Sequence, residues 1–305
     1  MMKKRTTGAL ALGTAALLAL AGCSNGAGAP AEEQNSGGAA SDHPIKVAYV
    51  AGWTDGESLA YLLKDQLEKM DQAVEITDLT DNGPLYAGLS QGDVDLHASA
   101  WPEVTQIEYW EDYKDSLEDL TTYYDGAVLT IAVPSYSSIT SLAELQENAG
   151  LFDGEIIGIE PGAGLTSVTQ NSMMPAYELE DDYTLVTSST AAMLTVLGEK
   201  MEKQEEVVVT LWRPFWAYND YDLRDLEDPL QAMGEPEGLH VLARDGFSAD
   251  YPEIADLIKQ IKLDDAAYGA LEGLVTSDEF EGDPEGAVDA WIADHTDAFP
   301  GLLAS

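Results

Sequence analysis

The sequence predicts an α/β protein built from two lobes with a ligand cleft between them. Apolar runs of strand length alternate with helical patterns in the order β-α-β, which is typical of a parallel sheet covered by helices. The alternation occurs twice, over residues 45–100 and again over residues 155–211, with an apolar strand at residues 127–133 in between. Two such units joined by two crossings leave a cleft, which is the usual place for a small ligand.

Hydrophobic periodicity places the elements of the first unit. Leu59, Leu62 and Leu67 recur at helical spacing and mark the core face of the first helix. The predicted elements are a strand at residues 45–50, a helix at about 58–70, a strand at 74–79, a helix up to about 90, a strand ending at 100, a helix at 107–120 and the strand at 127–133.

The second unit repeats the order and is followed by a helical C-terminal part. Its predicted elements are strands at residues 155–159, 183–187 and 206–211 and helices at about 165–179 and 191–203. A strand at residues 239–243 returns to the first unit, and two or three helices follow from residue 254. We therefore assign residues 44–132 and 238–305 to the first lobe and residues 133–237 to the second.

The N-terminus carries the features of an exported, lipid-anchored protein. Residues 1–22 predict a secretory signal, with three basic residues at positions 3–5 and an apolar stretch too short to span a bilayer. The sequence Leu20-Ala21-Gly22-Cys23 resembles the bacterial lipobox, which implies lipidation at Cys23. Residues 23–43 are rich in Gly, Ala, Ser and Glu and predict a flexible tether. We expect the protein at the cell membrane, facing outside the cytoplasm.

The composition predicts a globular protein with an acidic surface. The 305 residues include 45% apolar and 8% aromatic residues, and 56 acidic against 14 basic residues leave a net charge of −42. Such a charge disfavours nucleic acid and anionic lipid as partners. It is typical of a solvated acidic surface, as in organisms that live at high salt, and the only membrane contact expected is the lipid anchor.

Three tryptophans follow apolar runs and precede polar turns: Trp53, Trp101 and Trp212. The carboxyl ends of strands form the ligand crevice of α/β proteins, and indole rings that meet there suit a quaternary ammonium through cation–π attraction. Packing in the core is the alternative for each ring. The Gly-rich turn at residues 158–167 precedes a helix, whose first N–H groups suit an anionic end. A ligand with both ends is a betaine.

Catalytic motifs are absent from the sequence. It contains no Gly-x-Ser-x-Gly, no His-Glu-x-x-His and no P-loop. The four histidines are scattered and Cys23 is the only cysteine, so we expect no catalytic residue, metal or cofactor. His97 lies close enough to Trp101 to line the cleft, although a hydrogen-bonded structural histidine is the favoured interpretation. An exported enzyme and a sugar- or peptide-binding lipoprotein remain the rival hypotheses.

Five segments together resemble one known family, the substrate-binding lipoproteins of ABC importers for glycine betaine, proline betaine and related quaternary amines. The resemblance covers roughly residues 45–297 and implies a two-lobed periplasmic-binding-protein-like fold of type II. The segments are Gly52-Trp53-Thr54-Asp55, Ser99-Ala100-Trp101-Pro102, Ala132-Val133-Pro134-Ser135-Tyr136, Gly158-Ile159-Glu160-Pro161-Gly162-Ala163-Gly164, and Leu211-Trp212-Arg213-Pro214-Phe215-Trp216 with Tyr221-Asp222-Leu223.

The resemblance implies roles for particular residues. Trp53, Trp101 and Trp212 match the three tryptophans that surround the trimethylammonium in the family. The backbone N–H groups of Gly164 and Leu165 match the carboxylate-binding turn. Gln106 stands where some members add a histidine for the ligand carboxylate, and Trp216 is a further candidate for the cleft wall. The implied partners are a small quaternary amine and an importer permease with its ATPase, in osmoprotection.

The ligand itself stays open between betaine and related compounds. Choline-binding relatives carry the same Gly-Trp-Thr-Asp tetrapeptide, in which the position of Asp55 serves the cation site. The turn at residues 162–165 resembles the carboxylate-binding form, for which choline has no use. The sequence therefore favours glycine betaine or a close relative, with choline or carnitine as the alternative.

Overall fold

The structure, a computed structural model, describes residues 43–304. The signal peptide, the lipidation site at Cys23 and all but the last residue of the tether lie outside these residues, so these expectations stay predictions. Across residues 43–304, none of the helices combines the length and the apolar character that a membrane crossing requires.

The described part of the chain forms nine strands and eleven α-helical segments. The strands are β1 (Ile45–Val50), β2 (Val74–Leu79), β3 (Leu96–Ala100), β4 (Leu117–Pro134), β5 (Glu155–Ile157), β6 (Thr184–Val186), β7 (Val209–Arg213), β8 (Leu223–Asp225) and β9 (Glu237–Arg244). The helices are α1 (Thr54–Glu68), α2 (Asn82–Gln91), α3 (Ile107–Tyr113), α4 (Gly164–Val168), α5 (Met174–Ala176), α6 (Thr190–Glu202), α7 (Ala217–Asp220), α8 (Phe247–Asp250), α9 (Pro252–Ile258), α10 (Asp265–Val275) and α11 (Pro284–Asp294). A π-helical turn, Thr169–Met173, joins α4 to α5.

Eight strands form one continuous sheet in the order β2-β1-β3-β9-β4-β7-β5-β6, and β8 pairs with β4. The two ends of this sheet are parallel, as the β-α-β order predicts: β1 with β2 and β3, and β5 with β6 and β7. Its centre is antiparallel, because β9 runs against β3 and β4, and β4 runs against β7. The β-α-β order predicted the parallel ends of the sheet but gave no sign of the antiparallel centre.

The long strand β4 carries the chain from one lobe to the other. Its residues pair with β9 as far as Ala127 and with β7 from Val128 onwards. We name as the first lobe the strands β1, β2, β3 and β9, the segments that connect β1 to β4, and the β4 residues that pair with β9. The second lobe contains β5 to β8, the segments that connect them, and the remainder of β4. The lobe boundaries at residues 133 and 238 stay predictions, and the change of strand partner lies between Ala127 and Val128.

The helix predicted at residues 107–120 is wrong in its second half. Helix α3 ends at Tyr113, a short 3-10 turn follows, and β4 begins at Leu117. The segment after Leu117 contains Thr121, Thr122, Tyr123 and Tyr124, residue types that favour strands. Its hydrogen bonds to β9 are long-range, so local periodicity did not reveal them.

The core of the first lobe matches the helical pattern in the sequence. Leu59, Leu62, Leu63 and Leu67 of α1 are fully buried. Helix α1 packs against β1 and β3 on one side and against α10 and α11 on the other. Because α1 is packed on both sides, its position is fixed. The residues at its N-terminus, Trp53 and Asp55 among them, are therefore held in a defined position.

Candidate functional site

A small cavity lies between the two lobes. The residues that line it are Trp53, Asp55, Trp101, Thr105, Gln106, Leu129, Ile159, Ala163, Leu165 and Trp212. Six of these ten are residues that the sequence predicted for the site.

The first lobe contributes two indole rings to this cavity. Trp53 immediately precedes α1 and is 8% exposed, and Trp101 follows β3 and is 4% exposed. The indole Nε1 of Trp101 donates a hydrogen bond to Oδ2 of Asp55 at 3.0 Å. The indole Nε1 of Trp53 donates to Oε2 of Glu160, a residue of the second lobe, at 3.1 Å. A carboxylate therefore fixes the orientation of each ring.

The second lobe contributes the third ring. Trp212 lies in β7 opposite Leu129 of β4, and its ring centroid is 6.4 Å from that of Trp53. Phe215 packs behind it with a centroid distance of 4.0 Å. Among residues 43–304 the Trp212 indole N–H has no hydrogen-bond acceptor. Aromatic faces from both lobes thus border one small space.

Asp55 places a carboxyl group in the wall of the same cavity. It lies in the first turn of α1, is 2% exposed and accepts hydrogen bonds from the Ser99 hydroxyl at 2.6 Å and from Trp101. Burial raises the pKa of Asp55, while these bonds oppose that rise. A cation in the cavity favours the ionised carboxylate and gains attraction from it.

The start of α4, which contributes Leu165 to the cavity lining, offers backbone N–H groups. In the described part of the chain, those of Gly164, Leu165 and Thr166, the first three residues of α4, have no hydrogen-bond acceptor. Free N–H groups at the start of a helix attract anions. Leu165 lines the cavity, whereas Gly164 lines the adjoining groove between the lobes.

Gly164 is also a point of close approach between the lobes. A Cβ atom at this position would lie 1.8 Å from the carbonyl oxygen of Thr105, a residue of the first lobe. Real Cβ atoms essentially never approach an oxygen so closely, so only glycine fits here without a shift of the two lobes.

Hydrogen bonds determine how the Gln106 side chain points. Its Oε1 accepts from the Trp101 backbone N–H at 3.1 Å and from the Tyr86 hydroxyl at 2.8 Å. Its Nε2 lies 3.4 Å from Oδ1 of Asn82. Because the Trp101 backbone N–H requires an oxygen acceptor, the amide nitrogen Nε2 lies on the other side of the group, and one of its N–H groups is left without an acceptor among residues 43–304. Gln106 can donate that bond to a ligand in the cavity.

Two further candidates do not line the cavity. His97 is 1% exposed in β3, and neither ring nitrogen has a hydrogen-bond partner within residues 43–304. Burial lowers its pKa to about 3, so the ring is neutral, and it meets the Tyr86 ring edge-on at 5.6 Å. The expectation of a hydrogen-bonded histidine is therefore wrong. Trp216 packs against Phe215 and Tyr221.

Sequence reasoning did not single out four of the lining residues: Thr105, Leu129, Ile159 and Ala163. Ile159 and Ala163 belong to the Gly-rich turn, and Thr105 precedes Gln106, so proximity to known candidates was an available signal. Leu129 is an apolar residue within a long strand, and nothing local distinguishes it. Within residues 43–304 no three His, Cys, Asp or Glu residues are grouped to hold a metal ion.

Comparison with known proteins places the chain among transport proteins. The family described as the substrate binding domain of ABC-type glycine betaine transport systems matches residues 43–294. The glycine betaine/carnitine transport binding protein of Listeria monocytogenes is 34% identical over 144 residues, which are 47% of this chain and 46% of that protein. The match therefore spans about half the length of that relative.

Two crystal structures share the fold over most of the chain. A glycine betaine, L-proline ABC transporter binding protein from Borrelia burgdorferi is 28% identical with a TM-score of 0.77, over 85% of this chain and 97% of that one. Lactococcal OpuAC, in its closed-liganded conformation with glycine betaine, is 30% identical with a TM-score of 0.74, over 84% and 97%. The two-lobed fold predicted from the sequence is confirmed, and the family is one of extracytoplasmic substrate-binding components rather than enzymes.

Proposed function

Because the chain belongs to the family of substrate-binding domains of ABC-type glycine betaine transport systems, we propose that it captures glycine betaine or a closely related quaternary ammonium compound and delivers it to an importer for osmoprotection. The observation that carries this proposal is the cavity bordered by Trp53, Trp101 and Trp212, with free backbone N–H groups at the start of α4, where Leu165 joins the lining. Each half of the site matches one end of a betaine.

The aromatic side of the cavity suits the cationic end. A quaternary ammonium has no N–H to donate, so hydrogen-bond acceptors cannot recognise it, whereas the faces of indole rings attract it through cation–π interactions. Each contact contributes roughly 1–2 kcal/mol when water is excluded. The three rings are at most 8% exposed, which meets that condition. Asp55 adds a negative charge on the same side.

The other side suits a carboxylate. The N–H groups of Gly164 and Leu165 start a helix, and the Nε2 of Gln106 supplies a side-chain donor. Hydrogen bonds to a carboxylate are charge-assisted and about twice as strong as neutral ones. Micromolar affinity requires about −8 kcal/mol. Three cation–π contacts and two or three charge-assisted bonds suffice for this, after the costs of association are deducted.

A choline or carnitine ligand is the second candidate, and Asp55 is the observation that favours it. A buried carboxyl in the cavity wall balances the full positive charge of choline, whereas betaine carries its own carboxylate. Carnitine has both a quaternary ammonium and a carboxylate and is longer. The small cavity volume favours the shorter betaine.

We place the protein at the outer face of the cell membrane, anchored through a lipid on Cys23. The lipobox-like sequence and the Gly- and Ser-rich tether that follows it support this anchor. The partners are a small quaternary amine and an importer permease with its ATPase. Palmitate labelling in a bacterial host, with Cys23→Ala as the unlabelled control, tests the anchor.

Titration calorimetry of the mature protein with glycine betaine and choline at stated salt tests the ligand. We expect micromolar binding of betaine that Trp101→Ala and Trp212→Ala abolish. Trp110→Ala, a half-buried tryptophan outside the cavity, is the matched control and should retain binding. Choline binding without betaine binding would replace the ligand in the proposal by its alternative. Binding of neither compound by a folded protein would refute it.

A further inference from the structure

Three hydrogen bonds between the lobes end on one short segment, residues 160–162, which we name the cross-lobe segment. The Trp53 indole donates to Glu160 at 3.1 Å. The Gly162 backbone N–H donates to Asp81 at 3.1 Å, and the Tyr109 hydroxyl donates to the Gly162 carbonyl at 2.9 Å. Trp53, Asp81 and Tyr109 all belong to the first lobe. The cross-lobe segment belongs to the second, so these bonds exist only when the lobes are together.

The Glu160 carboxylate is held in place by its own lobe. Its Oε1 accepts from the Thr190 backbone N–H at 2.8 Å, and its Oε2 accepts from the Thr190 hydroxyl at 2.9 Å. The Thr166 hydroxyl donates to the Glu160 carbonyl at 2.8 Å. The side chain is 7% exposed. The Glu160 carboxylate is therefore a pre-organised, buried acceptor before Trp53 approaches from the first lobe.

The indole of Trp101 provides the contrast. Its acceptor, Asp55, belongs to the same lobe and lies at the start of α1. The orientation of Trp101 is thus set whether or not the lobes meet. That of Trp53 depends on a residue across the cleft.

On the basis of the proposed function, we infer that Glu160 is a positioning residue that orients the Trp53 indole from the opposite lobe and so completes the aromatic box only in the closed form. A bond that exists only in the closed form shifts the equilibrium towards that form. It forms after the ligand has entered, so its loss changes the dissociation rate and leaves the association rate nearly unchanged.

A purely structural role of Glu160 predicts different results. If its only task were to hold Thr190 at the start of α6, its loss would lower the melting temperature of the protein. The effect of Glu160→Gln on the ligand dissociation rate would then be the same whether or not residue 53 carries an indole N–H. The two roles are separable because Trp53→Phe keeps a smaller aromatic ring at this position and removes the indole N–H that donates to Glu160.

Stopped-flow binding of glycine betaine to the mature protein tests the inference through a double-mutant cycle. We expect Glu160→Gln to raise the dissociation rate about tenfold with an association rate within about twofold of the parent, and Glu202→Gln, an exposed control in the same lobe, to change neither. In the Trp53→Phe background, Glu160→Gln should add less than about twofold. An unchanged dissociation rate in Glu160→Gln, or full additivity of the two substitutions, overturns the inference.

A second measurement follows the hydrogen bond itself and does not depend on measured ligand-binding rates. In ¹⁵N-labelled protein the Trp53 indole N–H signal, assigned by its loss in Trp53→Phe, should move upfield in Glu160→Gln, and the Trp101 signal should not. An unmoved Trp53 signal with and without ligand overturns the inference even if betaine binds. If the parent binds neither betaine nor choline, the proposed function fails. A Trp53 signal that moves in Glu160→Gln without ligand would then still show the bond, and an unmoved signal would overturn the inference as well.

Discussion

Trp101 and Asp55 are joined by a hydrogen bond of 3.0 Å from the indole Nε1 to Oδ2, although they lie 46 residues apart. The same carboxylate accepts the Ser99 hydroxyl. One acidic side chain thus orients a ring of the cavity and supplies negative charge to it. This double task leads to a prediction about ligand choice.

Asp55→Asn should weaken choline binding more than betaine binding. The amide oxygen can still accept one hydrogen bond, but the negative charge is lost, and choline has no carboxylate of its own to balance its charge. We expect the affinity for choline to fall about tenfold or more and that for betaine about threefold, because charges interact strongly in a site from which water is partly excluded. Calorimetry with both ligands measures this. Ser99→Ala, which removes a bond to Asp55 but keeps its carboxyl group, is the control. Equal losses for both ligands would contradict a charge role.

Gly164→Ala should abolish ligand binding while the protein remains folded. The new methyl group would lie 1.8 Å from the Thr105 carbonyl oxygen, and this contact joins the two lobes. Opening of the lobes relieves the overlap, so the cost falls on the closed form. We expect affinity for betaine to drop more than about 100-fold with a melting temperature of the ligand-free protein within a few degrees of the parent.

The control for Gly164→Ala lies in α10. A Cβ at Gly269 meets no atom within 4 Å, so Gly269→Ala changes the same residue type in a helix without a steric conflict. It should leave affinity unchanged. Normal betaine binding by Gly164→Ala would show that the lobes do not approach as closely as the structure has them.

Glu272→Gln should stabilise the protein increasingly as pH rises. Burial raises the pKa of Glu272 from 4.5 to about 7 against the hydrogen bond from Thr54, and the charge of Asp55 adds to the rise. The folded protein therefore binds this proton more tightly than the unfolded chain. The stabilising effect of the protonated group is complete below about pH 4.5 and is lost as pH approaches 7 and above. The full effect is at most about 3 kcal/mol.

Thermal melts between about pH 5 and about pH 8 measure this effect. The melting temperature of Glu272→Gln minus that of the parent should increase across this range. Glu279→Gln, an exposed residue just beyond α10, should show a constant difference. A difference for Glu272→Gln that does not change with pH would mean that this carboxyl is not protonated in the folded protein.

Glu237→Gln should weaken ligand binding through the loop that carries Trp101. Its carboxylate accepts three backbone N–H groups of this loop at 3.2, 3.0 and 2.9 Å, from Glu103, Val104 and Thr105. An amide replaces one acceptor by a donor that faces other donors. We expect betaine affinity to fall about tenfold, measured by calorimetry. Glu235→Gln, at an exposed position nearby, should have no effect, and unchanged affinity in Glu237→Gln would refute the role.

Local features of this protein could be predicted from the sequence. The apolar spacing of Leu59, Leu62 and Leu67 placed α1, and the β-α-β order placed the parallel ends of the sheet, because both patterns arise from neighbours along the chain. The tryptophans and the Gly-rich turn pointed to the cavity because strand ends and helix starts meet at one edge of such sheets. The role of these residues in ligand binding stays a prediction.

Features that depend on distant partners became visible only in the folded chain. The antiparallel centre of the sheet and the strand character of residues 117–126 depend on pairing with β9, more than 100 residues later. The Trp53–Glu160 bond and the contact of Gly164 with Thr105 join groups of different lobes. Local periodicity carries no information about such pairs, because the geometry of the two crossings and the closure of the lobes determine which residues meet.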